Sequence, residues 1–255
     1  MPIPASQGPG KSYSILLELD SSQDNVDVFA ALSHPVDPLV VVVHVFPSVV
    51  IGSWQNWIPA MNFTGRLGLR GFHEDTVFYL INEGRIVGRA GDGGVGASNN
   101  GFSASVAGTS HGGGGGGGAG AHSAGGTAES PATNGTAGTE SAVGTGGANG
   151  TGGVVQWVWV GNGGDAGNAI AVGDFPIEIT NGSGEIWGGG GGGHGGDIQR
   201  LGLVASDGGL PGVNGDVDGV VFLPAAAGQA GKAIDGTNVT FVDGGSDPNV
   251  KGDVG

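Results

Sequence analysis

Ala5-Ser-Gln-Gly-Pro-Gly-Lys-Ser12 fits a permissive phosphate-loop pattern, and it is the first place in this sequence where residue types and spacing could do chemistry. That chemistry needs a strand entering the loop, a helix leaving it and a lysine reaching phosphate. Pro9 sits inside the loop and a strand-like alternation follows it over residues 12–19, so residues 1–11 read as an extended proline-glycine arm. His111, His122 and His194 flank glycine runs and could converge on a metal, yet no two of them have local ligand spacing. Solvated or loop-anchoring histidines are the expectation. Asp207-Gly-Gly and Asn214-Gly-Asp-Val-Asp218 hint at calcium, but no complete loop of alternating ligands ends in Glu. Neither a Ser-His-Asp set with an elbow nor a carboxylate pair placed together by spacing is present. The expectation is a protein that is not an enzyme, with no cofactor and no metal.

Val154-Val-Gln-Trp-Val-Trp-Val160 is strand-like and bounded by glycine on both sides. Trp157 and Trp159 are two apart, so in a strand they share one face. Exposed, the pair is a binding platform; buried, it caps the body behind it. Both readings stay open.

The elements that would position such residues are unusual. Of 255 residues 60 are Gly, and only 12% are charged, about half the usual share. The formal net charge is −15, from 23 acidic and 8 basic side chains. With no basic stripe to neutralise phosphates, nucleic acid is not an expected partner. There is no Cys, so neither a disulfide nor a thiolate metal site can staple the fold. Residues 39–46 form an apolar run far shorter than the ~20 residues of a membrane-spanning helix. Met-Pro-Ile-Pro-Ala lacks the pattern of a secretory leader, and synthesis in a cytosol is expected.

Larger apolar residues sit in short blocks. Residues 12–19, 26–32, 39–46, 49–53 and 76–81 read as strands separated by proline and polar turns, with an aromatic, irregular stretch at 53–71 carrying Trp54, Trp57 and Phe63. Then Asn82-Glu-Gly-Arg-Ile-Val-Gly88 leads into glycine. Asn181-Gly-Ser-Gly-Glu-Ile-Trp-Gly188 repeats the same order, and residues 236–245 hold a weaker third copy. A flexible linker needs no strand at each entrance, so the repetition argues for a built architecture. Each unit reads as a short hairpin with Asn at its turn.

The tract over residues 88–196 contains the uninterrupted runs 112–118 and 188–193. Ordering glycine costs about 1–2 kcal/mol of backbone entropy per residue, and propensity excludes a helix. The ordered option is a polyproline-II-type spiral, about three residues per turn, whose outward N–H and C=O groups pair with neighbouring spirals that only glycine lets approach. Residues 127–151, rich in Asn-Gly and Thr-Gly pairs, read equally as flexible loops between such rods.

Residues 48–53, 59–65 and above all Val77-Phe-Tyr-Leu-Ile-Asn-Glu-Gly-Arg-Ile-Val-Gly-Arg-Ala-Gly-Asp-Gly-Gly94 resemble the entry to the glycine-rich domain of tail-fibre and tail-tip proteins of tailed bacteriophages. Residues 179–189 look like a second copy of that element, and 230–253 like the close of the domain. The similarity covers about residues 39–255. It implies a mainly β and irregular fold: an N-terminal antiparallel β domain over 1–87, which docks or oligomerises, and a polyglycine-II spiral sandwich with short β-hairpins over 88–255. It also implies a place in the virion tail, contacts with other phage tail proteins through the N-terminal region, a homo-oligomer of which a trimer is one form, and surface loops that contact a host receptor. Candidate receptor-binding residues are Asn99, Asn100, Phe102, Trp157, Trp159 and Trp187. The alternative is a structural spacer or collar component that touches no receptor. Many Ala, Ser and Thr insertions over residues 97–150 depart from the densest members, leaving the number of spirals open.

Overall fold

The computed structural model describes residues 13–33, 35, 37–64, 71–96, 116–128, 132–146, 162–195, 205, 207–215, 226–242 and 247–255. The chain winds in successive coils. The first holds β1 (Tyr13–Leu19), β2 (Gln23–Asp24) and β3 (Val26–Asp27), then the single helical turn α1 (Val28–Ala31). The second holds β4 (Leu39–Val45), β5 (Val50–Gly52) and β6 (Met61–Asn62). In the third, β7 (Val77–Asn82) and β8 (Arg85–Val87) are followed by a glycine-rich excursion before β9 (Ile170–Gly173). In the fourth, β10 (Ile177–Thr180) and β11 (Glu185–Trp187) precede a second excursion and β12 (Ile234–Gly236). β13 (Val239–Phe241) and β14 (Val250–Lys251) begin a fifth.

Strands in equivalent positions stack into three sheets, in the orders β1-β4-β7-β10-β13, β14-β11-β8-β5-β2 and β12-β9-β6-β3. All these pairings are parallel. The described strands therefore form a three-sided parallel β-solenoid, a mainly β fold.

Alternation along each strand builds its interior. Along β4, Leu39, Val41, Val43 and Val45 are buried while Val40, Val42 and His44 face outward. Register then stacks like on like: Ile15, Val41, Phe78, Ile177 and Val239 share one row of the first sheet. Ile51, Ile86, Ile186 and Val250 form a row of the second, and Val26, Met61, Ile170 and Ile234 a row of the third. Each fully buried aliphatic side chain contributes about 1.5–3 kcal/mol.

Three expectations change here. The N-terminal strands are parallel, not antiparallel. The recurring strand-Asn-strand units are corners rather than hairpins, because β7 and β8 enter different sheets and each pairs with its counterparts in other coils. At the corner Asn82 and Asn181 are buried, and Asn82 Nδ2 donates to Asn181 Oδ1 at 2.7 Å while Asn181 Nδ2 donates to Asp247 Oδ2 at 2.8 Å. The repeat was a true signal whose product is a ladder between coils. Finally, residue 87 is no boundary between cores: one apolar cluster runs from Leu19 through Phe78 and Ile86 to Ile179 and Ile234.

The excursions form a body held by its backbone. In the run 188–195, Gly189 and Gly192 donate to Gly167 and Gly164, Gly190 and Gly193 to Ala119 and Gly116, and Gly188 and Gly191 to Lys251 and Val213. Its carbonyls accept in the same rhythm: Trp187, Gly190 and Gly193 from Gly88, Gly91 and Gly94; Gly188 and Gly191 from Gly212 and Gly209; Gly189 and Gly192 from Gly231 and Gly228. These bonds span 2.7–3.1 Å. Residues three apart share a neighbour. A Cβ on Gly189, Gly191 or Gly192 would stand 1.9 Å from a neighbour's carbonyl oxygen, so the hydrogen in its place points at that oxygen. Residues 132–146 join the body, through Gly117 to Thr136, Thr136 to Thr145 and Gly144 to Gly117.

Candidate functional site

Trp187 closes β11 where the solenoid hands over to the glycine body. It is 4% exposed, with Lys251 Nζ 4.0 Å from its ring centroid and Arg85 Cζ at 4.9 Å. Lys251 is its register partner on one side and Val87 on the other, so the indole covers the seam between coils. That corrects its candidacy as a receptor contact: the ring has no open face. Arg85 is itself held by Glu185, Nε to Oε2 at 2.5 Å, and by Glu140, Nη1 to Oε2 at 2.9 Å. Burial works against its charge, but the hydrogen bonds and charges of the two glutamates outweigh it and raise the guanidinium pKa above its ordinary value.

Asn99, Asn100, Phe102, Trp157 and Trp159 lie outside the described residues, as does His111. The places where the chain leaves for them and returns are described. The runs 88–96 and 188–195 go outward side by side from β8 and β11, since Gly91 and Gly94 donate to Gly190 and Gly193. The runs 116–121, 162–169 and 226–233 come back, because Gly193 donates to Gly116, Gly164 to Asp92 and Gly163 to Ala226. Turns near residues 120–122, 139–142 and 210–213 reverse the chain at the solenoid side. Gly96, Gly116, Gly146, Asn162, Gly195, Gly215 and Ala226 therefore lie at the end of the body away from the solenoid.

The tempting metal ligands are otherwise engaged. His122 Nε2 lies 3.1 Å from Asp24 Oδ2, and His194 is buried in the central run with Nδ1 2.8 Å from Gly195 O. Asp207 Oδ1 accepts from Gly146 N at 2.8 Å, tying two runs together. Among the described residues no group of three or more His, Cys, Asp or Glu is placed to hold a metal ion.

Sequence reasoning missed the exposed aromatics. Trp54 is 58% and Trp57 70% exposed on the turn joining β5 to β6. The Trp54 ring centroid lies 4.5 Å from that of His122, and the Trp54 backbone N–H donates to Asn25 Oδ1 at 3.1 Å. His122, on which the Trp54 ring rests, is in the wall of a cleft of about 730 Å³ between the second sheet and the inner turns of the glycine body, lined also by Gln23, Asp24, Arg85, Glu140 and Ser141. The aromatic stretch at 53–71 was the available signal, but a sequence does not say which of its rings face outward.

No family model matches the chain, and no curated protein matches it. Among solved structures it is similar to the crystal structure of the gp37-gp38 adhesin tip complex of the bacteriophage S16 long tail fiber, at 16% identity over 96% of this chain and 84% of that one, with a TM-score of 0.44.

Proposed function

We propose that this chain is a virion protein at the distal end of a bacteriophage tail or tail fibre, whose glycine body presents loops to a receptor on the host surface. The observation that carries the reading is the out-and-back path of the glycine runs, which brings the chain ends around residues 97–115, 147–161, 196–204 and 216–225 to one face of a backbone-bonded block. Such a block ties its loops to a rigid base at little cost in side-chain entropy, which suits preorganised binding. The sequence between those ends includes Asn99, Asn100, Phe102, Trp157 and Trp159. Aromatic faces suit sugar rings or protein rims, and Asn supplies both donors and acceptors. The resemblance of residues 39–255 to glycine-rich tail-tip proteins supports the same reading. The solenoid, including the N-terminal coils, is the part that docks onto other tail proteins, and a homo-oligomer, in one form a trimer, is part of the proposal.

The test is adsorption of the purified full chain to envelope fractions of candidate host bacteria. Saturable binding is expected, and Trp157→Ala with Trp159→Ala weakens it about tenfold or more, as loss of central aromatic contacts does. A chain that folds but binds no envelope fraction supports the spacer or collar role instead.

A further inference from the structure

The cleft next to Trp54 lies at the opposite end of the glycine body from Gly96, Gly116, Gly146 and Gly195, and its walls have a definite chemistry. Its volume of about 730 Å³ falls within the roughly 300–1,000 Å³ of small-molecule sites. Its charges are already matched: Arg85 is held between Glu140 and Glu185, and Asp24 faces His122. Among the described residues lining it, no Lys or Arg is left over for an anionic ligand, in a chain of net charge −15. Gln23 and Ser141, both exposed, have side chains with no hydrogen-bond partner among the described residues.

The rim is held in place. Asn25 and His122 both have φ of 51°, a left-handed conformation uncommon for residues other than glycine. Asn25 anchors the backbone of Trp54, and His122 supports its ring while contacting Asp24. Left-handed backbone at His122 in the cleft wall, and at Asn25 next to the lining residue Asp24, costs free energy locally. Trp54, 58% exposed, thus rests on a side chain of the cleft wall, His122.

We infer that this cleft binds an uncharged saccharide. A sugar ring presents an apolar C–H face, which the open face of Trp54 meets, and a rim of hydroxyls, which Gln23, Ser141 and the carboxylates of Asp24 and Glu140 bond as donors or acceptors. Sialylated and sulfated sugars are disfavoured, because Arg85 is already neutralised and two carboxylates line the wall. The site does not rest on the distal loops.

The full chain is applied to a panel of uncharged hexose and N-acetylhexosamine oligosaccharides printed beside sialylated and sulfated ones. The tightest uncharged binder is then titrated by calorimetry. Saturable binding confined to uncharged members is expected, weakened at least about tenfold by Trp54→Ala and about two- to tenfold by Gln23→Ala with Ser141→Ala. All three side chains are exposed, and the double variant serves should Trp54→Ala fail to fold. Absence of binding, binding only to charged members, or binding that survives both variants overturns the inference. Loss of saccharide binding on Trp157→Ala with Trp159→Ala, but not on the cleft variants, also overturns it while supporting the distal loops.

Discussion

Valine at Gly191 is expected to lower stability by at least about 3 kcal/mol, the upper range for overpacking a rigid interior. The same substitution logic at Gly182 gives the opposite result. A Cβ on Gly191 would stand 1.9 Å from Gly228 O, 2.5 Å from its carbonyl carbon and 2.8 Å from Gly215 N. All three are backbone atoms, so no side chain can rotate aside. To admit even a methyl group the run at 226–233 must retreat, breaking the bonds from Gly228 to Gly192 and from Gly231 to Gly189. Those groups are buried, and each left unsatisfied costs about 1–3 kcal/mol. At Gly182 a Cβ meets nothing within 4 Å. Alanine there restricts only the unfolded chain and adds about 0.4–1 kcal/mol. Thermal and urea melts of the two variants check both signs. A Gly191→Val protein melting with the wild type would show that the central run is not packed on all sides.

The contrast explains what could be read from the sequence. Strands at 13–19, 39–45 and 77–82 were legible because alternation and β-branched runs are local properties. The Asn82 and Asn181 repeat was legible for the same reason. Strand direction was not, since an alternating strand has the same pattern beside a parallel or an antiparallel neighbour. Asn at each turn pointed to hairpins, whereas here Gly84 lets the chain cross the previous corner, a Cβ on it standing 2.5 Å from Val49 O.

The candidate site was less legible because burial is decided at a distance. Trp187 and Trp54 both sit among glycine, serine and apolar neighbours. Trp187 is covered by Lys251 from the next coil, while Trp54 rests on His122 from the first excursion and keeps most of its ring open. Neither partner is near in sequence. The same holds for Glu140, whose carboxylate reaches Arg85 from a tract that composition alone reads equally well as a flexible loop.

Phe78→Ala is expected to cost about 3–5 kcal/mol, as for other buried aromatic truncations. Phe78 is fully buried, with ring centroids 4.8 Å from Phe72, 5.0 Å from Phe63 and 5.6 Å from Phe175. Its register partners are Val41 and Ile177, so the cavity opens between three coils. For a chain of this size the loss lowers Tm by roughly 6–20 °C. How the loss is shared says more than its size. Were residues 1–87 a separate unit, the variant would split the melt and leave the glycine body at its original transition. With one apolar cluster reaching from Leu19 to Ile234, and with β8 and β11 each feeding a glycine run directly, loosening the third coil frees the anchors of both excursions. Amide exchange in residues 188–195 should therefore accelerate together with that in 39–45, under a single thermal transition. Two transitions, with the glycine run still fully protected above the first, would mean that the body stands without the solenoid and that its glycine runs hold one another unaided.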